Sequence, residues 1–241
     1  MDLAFKMKKI KQNKKLWLAD QTETKSFLAC PTCHSRDRCS LKIAPMKQLK
    51  WYNEPDKWEL MDNGSLAMFV TPFTDFWRKT HYGFTVDDGP FCYLNVGGEF
   101  EANVKITGDY QTRFDQMGLM VRKDEKNWIK TGVEFVDEKI NISAVVTLET
   151  SDWSVLELEE KPEAVWLKVI RIKDYFKIMY SLNAKDYSMI RLAYFPENTP
   201  VMVGLTAASP DGEGFEALFE DFEIKHLPDA RRKEWLKENL E

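Results

Sequence analysis

The sequence predicts an all-β protein, one antiparallel sandwich running from about Met46 to about His226. Two observations carry that reading. All eleven glycines fall between Gly64 and Gly214. Apolar and polar residues alternate with period 2 over the same interval, and turn residues in step with such alternation mark strands. About a dozen of these segments follow one another with no helical period between them, which indicates a sandwich or barrel rather than βα units.

The clearest strand is 99–106, where Phe100, Ala102, Val104 and Ile106 point one way and Glu99, Glu101, Asn103 and Lys105 the other. Burial is expected for Phe100, Val104, Leu119, Val121, Val133 and Phe135, and exposure for Glu99, Glu101 and Lys105. Further strands are expected at 65–71, 91–96, 116–122, 128–136, 141–149 and 153–158. The remainder lie at 165–172, 175–181, 187–194, 201–207 and 215–225. Past Pro228, Asp229 is a good helix N-cap and Trp235 and Leu236 share one side, so 227–241 reads as a short C-terminal helix.

Residues 1–45 read as a basic, cysteine-containing extension, disordered or non-native, with ten Lys/Arg against four Asp/Glu. The other 196 residues carry 24 against 35, and a net-acidic body is a poor phosphate binder, so nucleic acid is not an expected partner. No apolar run approaches the ~18 residues of a membrane span, and the lysine-rich start lacks the apolar core of a secretory signal. Cys92 is the lone cysteine of the body. A lone cysteine suits a reducing compartment, so a cytoplasmic location is expected.

The blocks TDFWRKTHYGF (74–84), DQMGLMVR (115–122), NWIKTGVEF (127–135) and SDWSV (151–155), with residues 212–219, resemble a bacterial and fungal family with a concanavalin A-like lectin/glucanase fold. The named fungal member of that family is called regulation of enolase protein 1. The similarity covers about Trp51 to Ile224. It implies a jelly roll of two curved antiparallel sheets and no particular reaction. The first 45 residues fall outside it, and the extension reads as an added or upstream-read segment.

Alternation places Trp128, Lys130, Gly132 and Glu134 on one side of their strand, opposite Ile129, Thr131, Val133 and Phe135. The short connection 123–127 makes the neighbouring strand a hairpin partner, adding Gln116 and Arg122 to that face. Aromatic surface beside fixed charges and amides is what polar, ring-shaped ligands need. The alternative is an ordinary cross-strand salt-bridge network. The 75–82 block reads as a rim loop in which Trp77 stacks while Arg78, Lys79 or His81 holds an anionic or hydroxylated group, or as a structural plug in which Arg78 pairs with Asp75 and His81 is a hydrogen-bonded core residue. The expected ligand-binding set is therefore Trp77, Arg78, His81, Arg122, Trp128, Lys130 and Glu134, with Trp153 at its edge.

The expected function is non-catalytic recognition of a carbohydrate or related small polar metabolite on this face. The name of the fungal relative adds a regulatory role in carbon metabolism. The runners-up are a glycoside hydrolase using Glu134, and a protein-interaction regulator. Glycoside hydrolysis needs two carboxylates flanking one bond, and the acidic triplet of concanavalin-like glucanases is missing, so no catalytic residue is assigned. No cofactor is expected, because the glycine pairs lack a phosphate-loop pattern. In the extension, Cys30, Cys33 and Cys39 offer three thiolates but no fourth ligand, a weak zinc candidate. A protein partner and the oligomeric state stay open.

Overall fold

The computed structural model describes residues 42–43, 46–196 and 200–228. The basic extension before Lys42, with its three cysteines, lies outside the described residues, as does the expected helix of 227–241 from Asp229 on. The strands are β1 (Lys42–Ile43), β2 (Lys50–Tyr52), β3 (Lys57–Leu60), β4 (Leu66–Phe69), β5 (Phe76–Arg78) and β6 (Thr85–Asp87). They continue as β7 (Phe91–Val96), β8 (Phe100–Gly108), β9 (Gln116–Arg122), β10 (Asn127–Val136), β11 (Lys139–Leu148) and β12 (Thr150–Glu157). The last five are β13 (Val165–Ile172), β14 (Tyr175–Ser181), β15 (Ser188–Tyr194), β16 (Val201–Ala208) and β17 (Glu216–His226).

Two antiparallel sheets form a concanavalin A-like jelly roll. The first has the order β15-β14-β13-β8-β17-β4-β3, with β1 also on β17, and the second β12-β11-β10-β9-β16-β7-β2. The short pair β5-β6 belongs to neither. One apolar layer fills the space between the sheets, built from Phe100, Val104 and Phe219 on one side and Leu119, Val133 and Leu205 on the other. The expected register holds for Phe100, Val104, Leu119, Val121 and Val133, which are all buried. Phe135 is half-buried against the same core. Glu101 and Lys105 face outward but are only half-exposed, because Lys168 lies 3.6 Å from Glu101 and Glu220 2.7 Å from Lys105. Neighbouring side chains of opposite charge cover one another on an open sheet face.

Strands β9 and β10 run in register, with Trp128 opposite Arg122, Lys130 opposite Met120, Gly132 opposite Gly118 and Glu134 opposite Gln116. The two glycines are demanded by the backbone. A Cβ on Gly132 would lie 1.9 Å from the Met117 carbonyl oxygen, and one on Gly118 2.0 Å from that of Thr131. Such contacts are backbone to backbone and cannot be relieved by a rotamer change.

Gly132→Ala is therefore expected to cost at least about 1–3 kcal/mol of unfolding free energy, the range of overpacked interiors. Gly97→Ala, where a Cβ meets nothing within 4 Å, is expected to change it little. Urea titration of both variants checks this, and equal stabilities would refute the close approach.

Candidate functional site

The outer face of the second sheet is built by alternation: Gln116, Gly118, Met120 and Arg122 from β9, Trp128, Lys130, Gly132 and Glu134 from β10, and Ser143, Val145 and Thr147 from β11. Charged and apolar residues here need a cover, and the β5-β6 hairpin supplies it. Phe76 and Trp77 pack with Phe91, Met120, Trp128 and Val145 in a second apolar cluster, and the Phe76 and Trp128 rings meet edge to face at 6.2 Å.

Ion pairs pin the hairpin down. Arg122 donates from Nη1 to Asp87 Oδ1 at 2.6 Å and from Nη2 to Asp87 Oδ2 at 2.7 Å. Tyr52 donates its hydroxyl to Asp87 Oδ2 at 2.8 Å, and its ring lies 4.5 Å below the guanidinium. Lys130 Nζ donates to the Phe76 carbonyl at 2.7 Å and to Asp75 Oδ1 at 3.0 Å. At the far end the Arg78 backbone N–H donates to Ser151 Oγ at 2.9 Å, and its Nε to the Glu149 carbonyl at 3.3 Å. The hairpin is a strap lying across the sheet from Tyr52 to Ser151. Beneath it, the cross-strand neighbours Arg122 and Trp128 each keep a buried N–H, Nε and Nε1, without a hydrogen-bond partner among the described residues.

The strap covers the Trp128–Arg122 end of the face and stops beside the glycine pair. There the side-chain-free backbone leaves a cavity of about 20 Å³, lined by Phe76, Gln116, Lys130, Glu134, Ser143 and Thr206 among others, room for one water or hydroxyl. Trp153 on β12 flanks this slot. Its indole N–H donates to Glu134 Oε2 at 2.9 Å and to Ser143 Oγ at 3.2 Å, and the residue keeps 36% of its surface in solvent. Phe114 meets the Trp153 ring edge to face at 6.3 Å. Phe114 adopts a left-handed φ of 68°, costly for an aromatic residue, and the turn around it holds the strain in place. Buried Asp115 accepts the backbone N–H groups of Gln111 and Thr112, both at 2.8 Å, together with the Ser209 hydroxyl.

Of the expected set, Arg122, Trp128, Lys130 and Glu134 share one face, with Trp77 and Arg78 on the strap above it and Trp153 at its rim. Trp128, read as a stacking surface, is fully buried, with Phe76 against its ring. Trp77 is 8% exposed. Lys130, and not Arg78, takes the Asp75 carboxylate. His81 sits exposed in the strap's turn against Tyr82, with centroids 4.7 Å apart. Phe114, Ser143 and Thr206 join the slot without any period-2 signal of function. They are identified by the turn geometry and by neighbouring strands. Among the described residues no group of three or more His, Cys, Asp or Glu side chains could hold a metal ion. Nor is any helix among them long and apolar enough to cross a membrane.

Burial raises the Glu134 carboxyl above its ordinary value of 4.5, against the lowering pull of Lys130 and of the Ser143 and Trp153 hydrogen bonds. A raised folded-state pKa adds stability at low pH that is lost as pH rises from the ordinary value through the folded one. Glu134→Gln, whose amide oxygen still accepts from Trp153, is expected to flatten this fall. Urea midpoints of both proteins from pH 4 to pH 8 test it (a span bracketing the window), and parallel curves would contradict it.

Residues 51–227 match a protein family described as "Protein of unknown function (DUF1349)". A Saccharomyces cerevisiae protein named Regulation of enolase protein 1 is 34% identical over 183 residues, 76% of this chain and 92% of its own. The crystal structure of a functionally unknown protein from Saccharomyces cerevisiae superposes with a TM-score of 0.72 at 34% identity, covering 76% of this chain and 98% of that one. A structure described as Bacteroides ovatus Xyloglucan PUL GH43B shares the fold at 20% identity and a TM-score of 0.57, over 70% of this chain and 34% of its own. Sheet order, slot and strap thus describe a protein that belongs to the DUF1349 family.

Proposed function

We propose that the chain is a non-catalytic binding module with a regulatory role, and that it takes a carbohydrate or related neutral polyhydroxylated metabolite at the mouth of the glycine slot. One observation carries the reading. Beside exposed Trp153, the cross-strand neighbours Glu134 and Gln116 bring a carboxylate and an amide to the lining of the slot. The protein holds both in place: Glu134 Oε2 accepts from Trp153 at 2.9 Å, and Gln116 Nε2 donates to the Phe114 carbonyl at 3.1 Å.

Carboxylate and amide oxygens accept hydrogen bonds and so suit a ligand rich in hydroxyl donors, and a carboxylate at the mouth disfavours an anion. The slot admits one hydroxyl-sized group, so the ring lies over its mouth against Trp153, and the pre-organised strands lower the cost of ordering. The regulatory part is supported by the name of the 34% identical yeast relative, Regulation of enolase protein 1. Turnover is not expected. The other carboxylate near Glu134, Asp75, is held by Lys130 at 3.0 Å, which leaves no second free group to activate water.

Calorimetric titration with a panel of neutral sugars and polyols, with sugar acids as controls, tests the proposal. Saturable binding of a neutral member is expected, without product formation. Loss of the stacking ring in Trp153→Ala is expected to weaken it by up to about tenfold, the worth of one aromatic contact, with the β-sheet circular dichroism retained. Binding of acids alone, indifference to Trp153→Ala, or hydrolysis of a glycoside would each overturn it.

A further inference from the structure

The crossing between the two sheets leaves one end of the sandwich unfilled. Strand β12 is an edge of the second sheet, and residues 158–164 carry the chain from it to β13 in the first. Glu159, Glu160, Lys161, Pro162 and Glu163 fall in that crossing, so Leu158 is its only large apolar side chain. A cavity of about 280 Å³ lies there, against about 20 Å³ for the glycine slot. Its size is close to the lower bound of about 300 Å³ for small-molecule sites.

Floor and rim differ in kind. Tyr110, Phe135, Ile140 and Leu158 make the floor, and all four belong to the apolar layer between the sheets or pack against it. The cavity thus accounts for the half-exposure of Phe135, whose strand pattern predicts burial. The Tyr110 ring is held against Phe215, with centroids 5.2 Å apart. A smaller recess of about 20 Å³ shares Tyr110, Ile140 and Lys161 with the cavity and is also lined by Ile106, Val133 and Val165. The rim carries Glu138, Glu157, Glu159 and Glu160 with Lys139 and Lys161, all exposed. Lys139 and Glu157 neutralise one another at 2.6 Å. Glu138, Glu159 and Glu160 then stand against Lys161 alone, an excess of two negative charges.

We infer that this end of the sandwich is a second binding site, for a small amphipathic amine whose apolar body enters the cavity and whose ammonium group stands at the rim. The carboxylate excess repels an anion, and a neutral polyol would leave hydroxyls unpaired on the apolar floor. A cation with an apolar body answers both features. Its charge meets the carboxylates and the faces of the Tyr110 and Phe135 rings, which attract cations, and its body covers Ile140 and Leu158. The carboxylates alone would attract any cation; the floor selects among them. The cavity shares no lining residue with the glycine slot, so this inference is independent of the reading given there.

Amide chemical shifts of the ¹⁵N-labelled full chain, titrated with benzylamine, benzyl alcohol, benzoate and methylamine, test it. Benzylamine is expected to give saturable shifts at Tyr110, Glu138, Ile140 and residues 158–161. The other three lack either the charge or the body, and each is expected to bind at least about tenfold more weakly. Glu138→Gly removes a rim carboxylate at a left-handed φ of 61°, which glycine adopts freely. It is expected to weaken benzylamine binding by about threefold, the worth of one exposed ion pair, with no loss of stability to urea. Glu160→Gln, in the exposed crossing, is expected to act alike. Absent shifts, or shifts centred on other residues, would overturn the inference. So would benzyl alcohol, benzoate or methylamine binding as tightly as benzylamine, or unchanged benzylamine binding in both variants.

Discussion

The structure turns on the bidentate pair between Arg122 and Asp87, with bonds of 2.6 and 2.7 Å. Strand alternation leaves Arg122 no choice of side. The inner side of β9 is core, so its guanidinium must stand on the outer face beside Trp128. With 2% of that side chain exposed, an uncompensated charge there is expensive. Removing one partner of a buried pair costs about 3–5 kcal/mol, and Asp87, 24% exposed, places this pair at the lower end. The strap is the answer to that constraint. It brings a carboxylate to each of the face's two cations, Asp87 to Arg122 and Asp75 to Lys130, and carries Phe76 and Trp77 to bury the apolar residues between them.

The site follows from where the strap ends. It covers Trp128 and Arg122 and leaves open the glycine pair, where the backbones of β9 and β10 come too close for side chains. What is left is a small polar recess with a carboxylate, an amide and an exposed indole at its mouth. The two unpartnered N–H groups under the strap, Arg122 Nε and Trp128 Nε1, are a second polar feature of the face. Each costs about 1–3 kcal/mol if left dry, so an oxygen atom bound between strap and sheet would lower the free energy.

Much of the fold was legible from long strands with one wet face, such as the expected 165–172, which coincides with β13 and alternates in burial along all eight residues. The expected 116–122 and 175–181 likewise coincide with β9 and β14. The strap was not legible as a strand pair. Three residues, Phe76–Arg78, are too few to show a period, and all three are buried. The sharing of a face by Arg122, Trp128, Lys130 and Glu134 could be read from period 2 alone. Their burial could not, since it depends on a segment some 35 to 55 residues away in sequence that docks by tertiary contacts. Trp153 could be placed at the rim but not bonded to Glu134, because that contact spans β10, β11 and β12, whose joint register no single strand encodes.

The most direct test of this account is amide hydrogen exchange in Asp87→Asn, which keeps the side-chain shape but removes the charge facing Arg122. The backbone N–H groups of Lys79 and Gly83, bonded within the strap to the Phe84 and Lys79 carbonyls at 2.7 Å each, report on its docking. They are expected to exchange at least about tenfold faster than in the wild type, as a locally unfolding unit does, while the amides of β9 and β10 keep their protection. Unchanged exchange at Lys79 and Gly83, or an equal loss of protection throughout both sheets, would contradict the claim that this ion pair holds the strap on the sheet.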